Sequence, residues 1–260
     1  MQAHPKINSI LIHLLLLTSS FLLFFYSIGF SNDNIAIIAD KDTQNLVTLL
    51  QELSPSFIFL ENEQNNKQTI CSYKKLLIIG PEAYLKNKQI KCKKQTVFLA
   101  GVLYPKLLGV EENIIIISPL PSYKAIKKIA GKWLIVYSEY LEYYIKYLKQ
   151  FLEIKDILVH DLYELPLAFK RVKKEIEKDN QFFFLILPDP IFLDPEGEAY
   201  LVAFIKKYDI KNIDLLGIEE IKGKKIPFSE RSFAKTILKV LSESFSLQKA
   251  RIIYNEDLSL

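Results

Sequence analysis

Nine short apolar runs, rich in β-branched residues, recur along this chain. They lie at 34–39, 56–60, 75–80, 96–101, 113–118, 133–138, 156–160, 182–189 and 212–217. Their hydrophobicity is continuous rather than alternating, which marks strands buried on both faces, and such strands belong to parallel sheets covered by helices. The segments between them, at 41–53, 81–88, 121–130, 139–153, 165–178 and 195–208, carry helical spacing, as does 229–245 near the end. This alternation predicts the α/β class.

Nine strands suit either one wide sheet or two sheets of four to five. The best internal break is Ser118, Pro119, Leu120, Pro121, where two prolines follow the run at 114–117. We therefore expect two doubly wound parallel-sheet lobes. One spans 32–118, joined by part of 226–260, and the other spans 119–225. The chain crosses between them near Ser118 and again between Gly223 and Pro227.

Ahead of these lobes, residues 10–30 form an uncharged apolar stretch preceded by Lys6. At 1.5 Å per residue it reaches about 30 Å, enough to cross a hydrocarbon core. Residues 1–31 therefore read as a signal peptide or an uncleaved membrane anchor, with Gly29 and Ser31 as small residues near a cleavage point. No cysteine follows the stretch, which gives no support to a lipid-anchored form. The order of charges places the N-terminus inside and the body outside, in a periplasmic or other extracytoplasmic space.

Charge and residue usage narrow the chemistry. Lys and Arg number 34 against 30 Asp and Glu, a net +4 too small to indicate a nucleic-acid partner. Lysine-rich patches at 86–94 and 222–225 read as solvated faces or as contacts for a headgroup surface or a permease loop. Histidine occurs only at 4, 13 and 160, and cysteine only at 71 and 92. Zinc sites and Ser-His or Cys-His machinery need more than this. We expect no enzyme, no metal and no cofactor. His160 ends an apolar run and reads as a capping or surface residue, or as a pH-sensitive ligand contact.

Cys71 lies five residues before Leu76 in the third run, and Cys92 five before Val97 in the fourth. If those strands are neighbours about 4.8 Å apart, equal offsets bring the two Cα atoms within disulfide range. An oxidising compartment makes a Cys71–Cys92 bond worth about 3 kcal/mol for a loop of this size; the other reading is two unpaired thiols.

Several segments together resemble a family of ABC-transporter substrate-binding proteins. They are Leu185-Ile186-Leu187-Pro188-Asp189-Pro190 followed by Asp194-Pro195-Glu196; Thr96-Val97-Phe98-Leu99-Ala100-Gly101 with Tyr104-Pro105; Trp133-Leu134-Ile135-Val136-Tyr137-Ser138; and Ile79-Gly80-Pro81-Glu82-Ala83. The family is often associated with aromatic amino acids, and the resemblance covers about 34–245. It implies a type 1 periplasmic-binding-protein fold, a ligand held between the lobes, and an ABC permease as partner. Tyr104 stands where the family usually has Asp, Pro81 replaces a hydroxyl-bearing turn residue, and Ser138 replaces Asn. These departures leave the identity of the ligand open.

In such a protein the ligand sits at the carboxyl ends of the strands. Candidate ligand-binding residues are accordingly Gly80, Glu82, Tyr104, Tyr137, Ser138 and Asp189. Gly80 permits either a close ligand approach or an ordinary helix start with Pro81 at the first position. Asp189 is suited to receive a ligand ammonium or to cap its own turn. Asp194 reads as a helix N-cap. Tyr104 and Tyr137 are suited to stacking or to general packing. The expected function is an extracytoplasmic solute-binding component that closes over a small polar ligand such as an amino acid, by hinge motion without chemistry. The other reading is a membrane-tethered sensor or accessory domain that keeps the fold without a transport ligand.

Overall fold

A computed structural model describes residues 35–54, 56–60, 67–111, 113–129, 131–226, 228–243 and 252–255. The apolar segment at 10–30, with its signal or anchor reading, lies outside the described residues. No helix among those described is long and apolar enough to cross a membrane.

The chain begins with β1 (Ile35–Ala39), β2 (Phe57–Phe59), β3 (Lys75–Ile79), β4 (Thr96–Ala100) and β5 (Ile115–Pro121). It continues through β6 (Lys132–Tyr137), β7 (Glu153–Leu158), β8 (Phe182–Ile186), β9 (Asn212–Asp214) and β10 (Lys224–Lys225), and ends with β11 (Ile252–Asn255). These strands form two parallel sheets, ordered β11-β5-β4-β3-β1-β2 and β10-β9-β8-β6-β7. The chain is α/β with two doubly wound lobes. In each sheet the first strand lies between the second and the third, so the order reverses at the β1/β3 pair and at the β6/β8 pair.

The inner strands of both sheets are buried on both faces, which explains their unbroken apolar runs, whereas the edge strands β7 and β10 of the second sheet are largely exposed. Along β1, Ile35, Ile37 and Ala39 pack under the helices Gln44–Leu53 and Glu230–Ser242. Ala36 and Ile38 point the other way, into the cluster containing Tyr84 and Ala83. In the second sheet Leu134, Val136, Phe184 and Ile186 face the helices Leu165–Lys178 and Pro195–Tyr208. Trp133, Ile135 and Leu185 face the helix Glu142–Leu148. Helix Leu165–Lys178 buries Leu165, Ala168, Phe169 and Val172, a one-sided stripe at helical spacing. Phe169 stacks on Phe204 of the next helix with ring centroids 4.6 Å apart.

Ser118–Pro121, read from sequence as the break after a strand, instead belongs to β5. The pairing of β4 with β5 stops at Ala100 and Ile117. Beyond that point β5 has only β11 beside it, with a register shift between Tyr254 and Asn255. A proline there forfeits no ladder bond to β4, so the strand tolerates two of them. The chain then crosses to the second sheet through the short helix Tyr123–Lys127, capped by Ser122. It returns through 226–229 into helix Glu230–Ser242, which packs on the first sheet. β11 was not foreseen as a strand. It joins the first sheet beside β5, and its Asn255 carbonyl accepts the Ser122 N–H at 2.7 Å.

Cys71 and Cys92 form a disulfide with Cα atoms 5.2 Å apart. The register explains it, since Leu76 is paired with Val97 and the cysteines precede them by equal steps. The bond closes a stretch of 21 residues. Replacing both cysteines with serine is expected to lower the unfolding free energy by about 3 kcal/mol. Urea unfolding followed by circular dichroism would check this.

Candidate functional site

A cavity of about 320 Å³ lies between the carboxyl ends of the two sheets. The first sheet contributes Ile79 from the end of β3, Gly101 and Leu103 after β4, and Pro119 to Pro121 of β5. The second contributes Pro188 after β8 and Leu215 after β9, and the returning crossover adds Ile226, Phe228 and the start of helix Glu230–Ser242. This is where an open parallel sheet leaves a crevice, and the volume falls in the usual range for small-molecule sites.

The wall is mainly aliphatic and aromatic. Its polar members are Asp42, Thr43, Ser229, Glu230 and Asn255. Three of these carry internal hydrogen bonds. Thr43 Oγ1 donates to the Asp40 carbonyl at 2.8 Å, Ser229 Oγ accepts from the Ser232 N–H, and Asn255 Oδ1 accepts from Thr236 Oγ1 at 2.8 Å. Asp42 and Glu230 are exposed at the mouth. Among the described residues no lysine, arginine or histidine lines the cavity.

None of the six residues expected from sequence to touch a ligand is among the lining residues. Gly80 sits at the first sheet's reversal point with φ +96°. A Cβ there would come within 2.1 Å of Asp40 Oδ2. What approaches Gly80 is therefore a carboxylate of the chain itself. Asp40 ends β1 and accepts the Glu82 N–H at 3.1 Å and the Ala83 N–H, filling the N-terminus of helix Pro81–Asn87. The Glu82 side chain points outward, 3.4 Å from Lys86.

The second lobe uses a carboxylate at the equivalent point in the opposite sense, from the strand after the reversal back to the one before it. Asp189 is fully buried; Oδ2 accepts the Ser138 N–H at 2.8 Å and Oδ1 accepts the Ile191 N–H at 3.0 Å. It ties the end of β8 to the end of β6, again at the reversal point. Burial pushes its carboxyl above the ordinary range, against the pull of the two N–H donors. Asp40 was missed in the sequence reading, although it carries the same signal as Asp189, an Asp ending an all-apolar strand.

Tyr137 turns away from the cavity, its hydroxyl donating to Asp156 Oδ2 at 3.0 Å. His160 is exposed beside Glu164, and Asp194 caps helix Pro195–Tyr208 through the Glu196 and Gly197 N–H groups. Tyr104 has a different role. Its hydroxyl crosses from the first lobe to donate to the Pro188 carbonyl at 2.5 Å. In the opposite direction Tyr143, on helix Glu142–Leu148, donates to the Leu103 carbonyl at 2.5 Å. Burial raises both phenol pKa values, so both remain donors at neutral pH. Leu103 and Pro188 both line the cavity, so the two tyrosines latch the lobes across it.

No protein-family model matches the chain, and no curated protein matches it. Solved structures are similar to it at low identity. One is the ABC domain in complex with L-Trp from Streptococcus pneumonia, at 11% identity and TM-score 0.40, covering 87% of this chain and 90% of that one. Another is the ligand-free, open structure of a substrate-binding protein with adhesive properties from Clostridium difficile, at 11% identity and TM-score 0.48, covering 86% and 89%. A third is a periplasmic sugar-binding protein from Legionella pneumophila, at 12% identity and TM-score 0.32, covering 86% and 98%. At these scores the description of the fold rests on this chain's own strand order.

Two outcomes follow from this geometry. Changing Tyr104 and Tyr143 together to Phe is expected to remove about 1 kcal/mol per hydrogen bond and to loosen the lobes. Small-angle scattering would show a larger radius of gyration, and hydrogen exchange would be faster at the amides of Leu103 and residues 191–193. The second outcome concerns Asp189. Its native pKa lies above the unfolded one, so the folded state holds the proton longer. Its contribution to stability is therefore expected to decline as pH rises through the carboxylate range toward neutrality. Comparing urea unfolding of the wild type with Asp189→Asn across that range reads the slope, and a rising difference would contradict it.

Proposed function

We propose that this chain is an extracytoplasmic solute-binding protein that holds one small molecule between two lobes and performs no chemistry on it. The observation that carries this is the cavity at the facing carboxyl ends of two parallel sheets. It is lined by the end of β5 and by Leu103 and Pro188, whose carbonyls accept the Tyr143 and Tyr104 latch. Two lobes joined by crossover segments can open and close by hinge motion. Opening would release the two latch hydrogen bonds together with the packing of Leu103 and Tyr104 on the aromatic cluster between the lobes. An uncharged N-terminal segment behind Lys6 fits export, and delivery to an ABC permease is the role that the sequence resemblance implies.

A second reading has an observation in its favour. Asp40 and Asp189 already occupy both reversal points, where ligands of such folds commonly bind. On that reading the chain is a membrane-tethered sensor or accessory domain that keeps the fold and has lost the transport ligand.

A thermal-shift screen over amino acids, amines, sugars and short peptides separates the two. Solute binding predicts stabilisation by several degrees with at least one compound. It also predicts that the shift disappears in Leu215→Trp, which fills the cavity from the second lobe. Silence across the whole library favours the tethered reading.

A further inference from the structure

The two reversal points and the charge of the cavity wall together define what the cavity can accept. An amino-acid ligand needs a partner for its carboxylate, commonly a helix N-terminus or a basic side chain. Here the N-terminus of helix Pro81–Asn87 is filled by Asp40, and the N–H groups after β6 and β8 are held by Asp189. Helix Glu230–Ser242 does start at the cavity. Ser229 caps it, and Glu230 in its first turn places a carboxylate beside the remaining N–H groups. Among the described residues no basic side chain lines the space, so an incoming anion meets Asp42 and Glu230 instead. Among the described residues neither of these acids is in an ion pair.

Thr43, Ser229 and Asn255 already hydrogen-bond within the chain, and the rest of the described wall is apolar, including Leu46, Leu103, Leu215, Ile226 and Phe233. A sugar would bury several hydroxyls against it without hydrogen-bond partners, which is costly. Phe228 and Phe233 add aromatic rings with centroids 5.5 Å apart, surfaces that attract a cation.

We propose that the ligand is a small apolar cation: an amine or ammonium group, held near Asp42 and Glu230, on an aliphatic or aromatic body that reaches toward Pro188 and Leu215. This departs from the polar amino acid expected from sequence, and it rests on the solute-binding reading above.

Isothermal titration of the full chain with 2-phenylethylamine, phenylalanine, 2-phenylethanol and glucose tests it. The amine is expected to bind at least tenfold more tightly than its zwitterionic and neutral counterparts and than glucose. The double variant Asp42→Asn, Glu230→Gln is expected to weaken the amine at least tenfold and to leave 2-phenylethanol unchanged. The unchanged alcohol separates a charge effect from a folding defect, since both acids are exposed. Binding of phenylalanine or glucose as tightly as the amine overturns the ligand class and leaves the solute-binding reading standing. An unchanged amine affinity in the double variant overturns it as well. If none of the four binds and the wider screen is also silent, this ligand class and the solute-binding reading fall together.

Discussion

Parallel strands direct all their carboxyl ends to one edge of the sheet. The turns there lead into helix N-termini, whose first N–H groups lack partners within the helix. Every doubly wound lobe must satisfy those donors or offer them to a ligand. This protein satisfies them itself at both reversal points. Asp40 reaches from the end of β1 to the helix after β3, and Asp189 reaches from the end of β8 to the end of β6. Much else follows from these two carboxylates. Gly80 must lack a side chain because Asp40 stands where its Cβ would be. Anions lose their ordinary docking points, and the open space lies beside the end of β5 and the start of helix Glu230–Ser242, where the wall is mainly apolar.

The two lobes also share packing that neither has alone. One aromatic cluster combines Tyr144 and Leu148 of the second lobe with Leu120 of β5 and Tyr254 of β11, and Leu103 and Tyr104 pack against it. Tyr147 stacks on Tyr254 with ring centroids 4.2 Å apart, and Tyr144 donates to the Pro121 carbonyl at 2.6 Å. Tyr104, Tyr143 and Tyr144 show why tyrosine suits this seam: a ring supplies area between the lobes while its hydroxyl finds a carbonyl on the far side.

Much of the fold was legible because burial on both faces writes itself into composition. The runs at 75–80 and 96–101 could only be strands of a covered parallel sheet, and their equal offsets from Cys71 and Cys92 fit the disulfide. β10 and β11 were not legible, since Lys224–Lys225 is a two-residue exposed pairing and Ile252–Asn255 follows a long gap without periodicity. The prolines at 119 and 121 misled for a related reason, because local chain chemistry does not say how many neighbours a strand has. Among the site residues, Tyr104 and Asp189 stood out by motif and position, and both matter. They act on the chain itself, one latching the lobes and the other tying two strands together.

By itself the sequence determined the class of fold, the parallel sheets and the poverty of catalytic groups, because each depends on residue type and near-neighbour spacing; the pairing of β3 with β4 then decided between a disulfide and two free thiols. Only the tertiary structure decided which donors remain available to a ligand. Asp40 lies 42 and 43 residues from the N–H groups it caps, and Asp189 lies 51 from Ser138. Separations of that length carry no local signature. The character of the cavity, apolar with carboxylates at its mouth, likewise exists only once Asp42 and Glu230 are brought to the same opening by the chain's return from the second lobe.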